Sequence, residues 1–216
     1  MQWSPIILTF KLAFITTLIL FVISIPLANW LAFTKSRIKP VVETLVSMPL
    51  VLPPTVLGFY LLIAFSPSNS VGQWLDEVLG LRLVFSFEGL VFASVIYSLP
   101  FMVQPIQAGL SNLPTSLREA AYTLGKSHQT TLIRVLLPNI KPALLTGVVL
   151  AFAHTIGEFG VVLMIGGNIP DKTRVASIAI YDEVEAMNYG IANAYSLFLF
   201  VVTFVILLVV YSANKK

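Results

Sequence analysis

"EAAYTLGKSHQTTLIRVLLP", residues 119–138, decides how this chain is to be read. Its centre, Gly125-Lys126-Ser127, matches the end of a loop whose backbone amides curl around a nucleotide phosphate. Such a loop also needs a glycine five positions before Gly125, where this chain has Ala120. The preceding "LPTSLRE" is a turn opening a helix rather than a buried strand, so ATP is not expected to bind here. Ser116-x-x-Glu119 fits a capping box, in which each residue satisfies an amide of the other. Residues 117–124 then predict about two helical turns, with Gly125 as a left-handed terminator. Ser127 caps a second helix, which Pro138 stops. The result is two short helices at a sharp angle outside the membrane. A DNA-reading pair of this kind would carry a basic recognition face, which is missing, so no nucleic-acid partner is expected.

Outward from this segment the chain turns apolar. Of its 216 residues 57% are hydrophobic and 11% charged, and its mean hydropathy of +0.89 lies outside the soluble range. A hydrocarbon core of roughly 30 Å needs about 20 apolar helical residues to cross it. Five stretches qualify, at 12–33, 41–65, 89–110, 143–165 and 191–211, and none alternates with the period of a barrel strand. The expected fold is an all-α integral membrane bundle of about five spans. It forms one domain over 1–216, with the polar loop 111–141 inside it. "MQWSPIILTFK" lacks the basic start and cleavage site of a secretory signal, so the first helix is expected to stay. Without cysteine, disulfides and thiolate metal sites are excluded.

Basic residues are unevenly placed. Lys35, Arg37 and Lys39 lie between the first two spans, Arg118, Lys126, Arg134 and Lys141 between the third and fourth, and Lys215 and Lys216 at the end. The positive-inside rule assigns these loops and the C-terminus to the cytoplasm, with the N-terminus outside. Residues 173–188 carry Asp182, Glu183 and Glu185 and predict a short helix at the outer face or dipping into the bundle. The outer loop 66–89 reads as an interfacial amphipathic segment anchored by Trp74.

The quoted stretch resembles the EAA loop of binding-protein-dependent ABC importer permeases, E-A-A, three residues, G, nine residues, I, one residue, L-P. Glu119, Ala120, Ala121, Gly125, Leu137 and Pro138 match it, with Val135 in the isoleucine place. "MPLVLPPTVLGFYLL", 48–62, and the run 157–190 beginning "GEFG" are similar to molybdate permease subunits, with sulfate and tungstate permeases as close relatives. The resemblance implies the type I importer permease fold, with the six matching residues coupling to a separate ATPase. It further implies two copies of that ATP-binding subunit, an extracytoplasmic oxyanion-binding protein, and a homodimer with the path on its two-fold axis. The implied setting is a bacterial or archaeal inner membrane, with no covalent chemistry and no cofactor in this chain.

Candidates for the path or its gate are Pro53, Pro54, Thr55, His154 and Glu158. Pro49, Pro53 and Pro54 interrupt the second span and free carbonyls that neighbours or a wet cavity must satisfy; Pro100 and Pro105 predict similar bending in the third. Glu158 is the one acid well inside a predicted span, with His154 a turn away on the same face. A carboxylate would repel a dianion, so Glu158 is expected to act through hydrogen bonds in packing or gating rather than as a ligand. Gly157 and Gly160 would permit close packing across a dimer seam. An ion-coupled secondary transporter would want an inverted repeat with paired broken helices, and a membrane enzyme a cluster of His, Asp and Glu with ligand-like spacing. The sequence has neither, and no metal site is expected.

Overall fold

A computed structural model describes residues 2–213, and all regular structure among them is helical. In chain order the helices are α1 (Ser4–Phe33), α2 (Lys39–Ser47), α3 (Pro54–Phe65), α4 (Ser70–Leu79), α5 (Phe87–Ser111), α6 (Thr115–Thr123), α7 (His128–Thr131), α8 (Leu137–Asn139), α9 (Lys141–Gly157), α10 (Gly160–Gly166), α11 (Ala176–Glu185) and α12 (Tyr189–Ala213). Three of them, α1, α5 and α12, are long and apolar enough to cross a membrane unaided, and five spans result if each of two bent pairs counts as one. The core forms where α1, α5 and α9 meet, around Leu20, Leu31, Met102, Ile106 and Leu110.

The second expected span is broken more sharply than a proline kink. A 3-10 turn, Met48–Leu50, follows α2, and the chain then turns by 110° into α3. Pro49, Pro53 and Pro54 fall at this break, each removing an amide that a continuous helix would need. Pro100 and Pro105 do not break the third span, since α5 runs through both. The fourth expected span is not continuous either. It breaks at Glu158 (φ −62°, ψ 134°) and Phe159 (φ −130°, ψ −65°) between α9 and α10.

Close approach between α10 and α3 uses Gly160 and Gly58. A Cβ on Gly160 would lie 2.9 Å from Pro54 Cβ, and one on Gly58 3.2 Å from the Val161 Cα. Gly160 therefore packs within the chain rather than across a seam, and Gly157 has no neighbour within 4 Å of its Cβ position.

Contacts at the helix ends sort the loops. Tyr195 of α12 bonds the backbone of Gln2, accepting from its amide at 2.8 Å and donating to its carbonyl at 3.0 Å. The N-terminal ends of α1 and α12 therefore sit together. At the opposite end of α1, Phe33 lies 4.3 Å under the Arg118 guanidinium, so the basic loops 34–39 and 111–141 share one end of the bundle. Lys215 and Lys216 lie outside the described residues. Lys11, the cation inside α1, sits 4.5 Å over the Phe87 ring.

α4 is amphipathic, capped by Asn69 accepting from Val71 N–H at 3.2 Å and ended by Gly80 at φ +63°; Trp74 is exposed. The segment 173–188 becomes α11, which dips into the bundle with Ala176, Ile178 and Ala179 buried. Its Asp182 accepts from Asn168 Nδ2 at 2.9–3.0 Å and pairs with Arg174 at 3.5 Å, so that acid is neutralised locally.

Candidate functional site

Two regions gather the residues singled out by the sequence. The first is the loop 111–141. α6 ends at Thr123 with Leu124 as its C-cap, and Gly125 holds φ +71°, as expected of a left-handed terminator. Ser127 caps α7 by accepting from Thr130 N–H at 3.2 Å. The expected capping box is absent: the N-cap of α6 is Pro114, with no side-chain bond, and Ser116 and Glu119 are both exposed on the helix. α6 starts two residues earlier than expected, which places Ser116 inside the first turn and not at the N-cap, so the box geometry cannot form.

Pro138 does not stop the second helix. Residues Leu132–Leu136 form a π-helical turn, with Leu137 N–H bonding Leu132 O. The wider turn accommodates the proline ring and its missing amide. α7 thereby continues into α8, and the break falls at Ile140. From there α9 leaves at 82° to the 128–139 segment.

Of the six pattern residues, Ala121 is buried, Glu119, Ala120, Gly125 and Pro138 are exposed, and Leu137 is half-buried. Beside them Leu124 is 75% and Ile133 62% exposed, an apolar surface on a polar loop. The pair is tied to α1 by His128, whose Nε2 is 3.1 Å from Asn29 Nδ2 and whose Nδ1 is 3.0 Å from the Tyr122 hydroxyl.

The second region joins the two breaks. Pro54, Thr55, Tyr97, His154, Glu158 and Gly160 line one cavity, which brings together Pro54, Thr55, His154 and Glu158. Pro53 is the residue preceding α3 and does not line it. Glu158 is 3% exposed. Ser98 Oγ donates to its Oε1 at 2.7 Å, Ser94 Oγ donates to Oε2, and His154 Nδ1 lies 3.6 Å from Oε1. Ser177 of α11 donates to the Glu158 carbonyl, which the helix break leaves free. Ser98 also contacts His154 Nδ1 at 2.9 Å, and the imidazole stacks on Phe101 at 4.0 Å between centroids. Glu158 thus ties α5 and α9 through its carboxylate and α11 through its main-chain carbonyl, at the point where the fourth span is interrupted. Ser94 and Ser98 are legible in the sequence as two hydroxyls one turn apart on α5, but only packing shows that they face Glu158. No group of three or more His, Asp or Glu with metal-binding geometry occurs among the described residues.

Replacing Glu158 separates its hydrogen bonding from its charge. Glu158→Gln can keep an acceptor for one serine while the other hydroxyl reverses to accept, so assembly should persist and transport change modestly. Glu158→Ala leaves the buried Ser94 hydroxyl without its carboxylate, at about 1–3 kcal/mol. Thermal unfolding of the purified variants and uptake by cells carrying them would check this. Loss of transport by the glutamine variant with assembly intact would mean that the charge itself is required.

The arrangement of spans, broken helices and an angled surface helix pair is the type I ABC importer permease fold. It superposes on a bacterial ABC transporter involved in import of the acidic polysaccharide alginate, with a TM-score of 0.81 and 21% identity over 98% of this chain and 78% of that one. A bacterial alginate ABC transporter in complex with an alginate pentasaccharide-bound periplasmic protein gives 0.79, at 23% identity over 98% of this chain and 77% of that one. Residues 21–216 match the family described as binding-protein-dependent transport system inner membrane component, and the chain belongs to that family. It is 48% identical over 213 residues to the molybdenum transport system permease protein ModB of Azotobacter vinelandii, covering 98% of this chain and 94% of that protein.

Proposed function

We propose that this chain is the membrane-spanning subunit of an ATP-driven molybdate importer, and that the loop 111–141 is where a separate ATPase drives it. What carries the reading is the EAA pattern on a glycine-turned helix pair whose second helix is capped by Ser127, in a chain 48% identical to a molybdenum permease. ATP is hydrolysed by the partner, two copies of which grip a homodimer of this chain. A binding protein delivers the oxyanion from outside, and the N-terminus is outside with the basic loops in the cytoplasm.

In this reading the exposed Leu124, at the C-cap of α6, and Ile133, in the π turn after α7, seat the loop in the ATPase, with Glu119, Ala120 and Ala121 beside them. Small Ala120 lets the partner surface come close, while Gly125, Leu137 and Pro138 set the angle of the pair. Because the 128–139 segment stands at 82° to α9, movement of the loop acts on the end of that span. The other end of α9 is the break at Glu158, facing the break at Pro53, Pro54 and Thr55. Two interrupted spans that meet at one cavity can rock between arrangements without unpacking the core, which makes this the gate.

Deleting the chain's gene should abolish uptake of isotope-labelled molybdate and leave sulfate uptake intact, with tungstate competing. Loss of sulfate uptake alone would assign the protein to sulfate, and copurification without any ATPase would favour an ion-coupled carrier.

A further inference from the structure

Polar side chains exposed at the level of the hydrocarbon are costly against lipid and occur where water reaches them or protein covers them. On two faces of this chain the exposed residues suit lipid: those of α1 from Phe14 to Ile23 and of α12 from Leu197 to Val209 are all apolar. The face made by α2 and α5 is mixed, with polar groups beside the exposed Val41, Leu45 and Met48. Thr44, Gln104 and Ser111 are exposed, and Glu43, Ser47 and Gln107 half-buried. Gln104 Nε2 donates to Ser47 Oγ at 3.2 Å, and Gln107 Nε2 to Glu43 Oε1 at 2.7 Å. Lys39 Nζ stands 3.7 Å from the same carboxylate oxygen.

Positions 104, 107 and 111 repeat every three to four residues and so form one stripe along α5. At about 1.5 Å per residue, Gln104 is roughly 10 Å from the end of α5, a distance its short side chain cannot span. One turn further in, the stripe passes to Phe101 and then Tyr97, whose rings pack against His154 at 4.0 and 4.7 Å between centroids. Tyr97 and His154 line the Glu158 cavity. A line of side chains, polar except at Phe101, therefore runs from the junction of the two broken spans to the basic end of the bundle.

We infer that this stripe, with Thr44, Ser47, Gln104 and Gln107 at its centre, is the wall of the water-filled route by which a tetrahedral oxyanion leaves the gate for the cytoplasm. The inference rests on the importer reading above. Neutral amide and hydroxyl groups suit such a wall, because they can exchange hydrogen bonds with a passing anion at several weak sites, and conduction requires binding loose enough to release. Glu43, the one acid on the stripe, is engaged by Lys39 and Gln107. The α12 face by contrast meets lipid.

The chain has no cysteine, so a single introduced thiol reports its own surroundings. In membrane vesicles holding the assembled transporter, Gln104→Cys, Ser47→Cys and Phe204→Cys would be treated with a water-soluble, negatively charged methanethiosulfonate and labelling read on this chain. The reactive species is the thiolate, which forms in water and not in lipid, so positions 104 and 47 should react at least about tenfold faster than 204. Labelling there, and not at 204, should also block molybdate uptake. Should Gln104→Cys fail to assemble, Ser47→Cys, a change of one atom, carries the test. Reaction at 47 and 104 as slow as at 204, in vesicles that still take up molybdate, would overturn the inference and leave the importer reading standing. Vesicles that assemble with the ATPase yet never take up molybdate would instead count against the substrate assigned above.

Discussion

Leu124→Asp is expected to leave the protein inserted and folded while cutting substrate-stimulated ATP hydrolysis by the assembled transporter at least about tenfold. Leu124 is 75% exposed at the end of α6, so its removal costs the isolated chain little. Covered by a partner, a leucine side chain contributes about 2 kcal/mol, or roughly thirtyfold in affinity. An aspartate in the same place adds the cost of desolvating a charge. Gly125→Ala should be milder. A Cβ there meets nothing within 4 Å, which leaves only the strain of a positive φ, about 1 kcal/mol. Glu119→Lys serves as a comparison, because Glu119 makes no capping bond and its replacement changes charge alone. ATPase assays on the purified complex, with and without loaded binding protein, would read all three. Full stimulated hydrolysis by Leu124→Asp would remove α6 from the docking surface.

Gly89→Ala should be the more damaging change to the fold itself. A Cβ on Gly89 would sit 1.6 Å from the Leu83 carbonyl oxygen and 2.6 Å from its carbon. These are backbone atoms, so relief requires moving the start of α5. That movement would also disturb the Ser86 cap, whose Oγ accepts from Gly89 N–H at 3.0 Å and donates to Leu83 O at 3.0 Å. Overpacking of this kind costs about 1–3 kcal/mol and more where the backbone must shift. Gly157→Ala is the control, having open space at its Cβ position. Thermal unfolding in detergent should show a clear fall for Gly89→Ala and none for Gly157→Ala. Equal stability of the two would mean that the loop before α5 adapts freely.

The parts of the fold that depend on local chemistry are legible in the sequence. Long apolar runs require spanning helices because a backbone in lipid must bond to itself, and the Gly125 turn and Ser127 cap follow from residue type alone. The expected capping box fails because Ser116-x-x-Glu119 works only when Ser116 is the N-cap, and the N-cap of α6 is Pro114. Pro138 departs from expectation for a related reason: proline removes one hydrogen bond, but a π turn upstream absorbs the loss. Pro100 and Pro105, inside a helix packed on α1 and α9, do not interrupt it.

A helical membrane protein with basic loops on one side, a coupling-type helix pair and an acid at residue 158 all follow from the order of residues. Hydropathy, charge and a spaced motif are properties of segments and survive without knowledge of neighbours. Packing in three dimensions was needed to establish that the second span turns by 110°, that the fourth breaks at Glu158, and that the two breaks meet at one cavity. The same holds for Ser94 and Ser98 gripping the carboxylate, and for the polar residues of α2 and α5 forming one track. These are contacts between residues dozens of positions apart, and they depend on how helices are rotated about their axes. In an apolar span every face looks alike to hydropathy, so that rotation is set by packing.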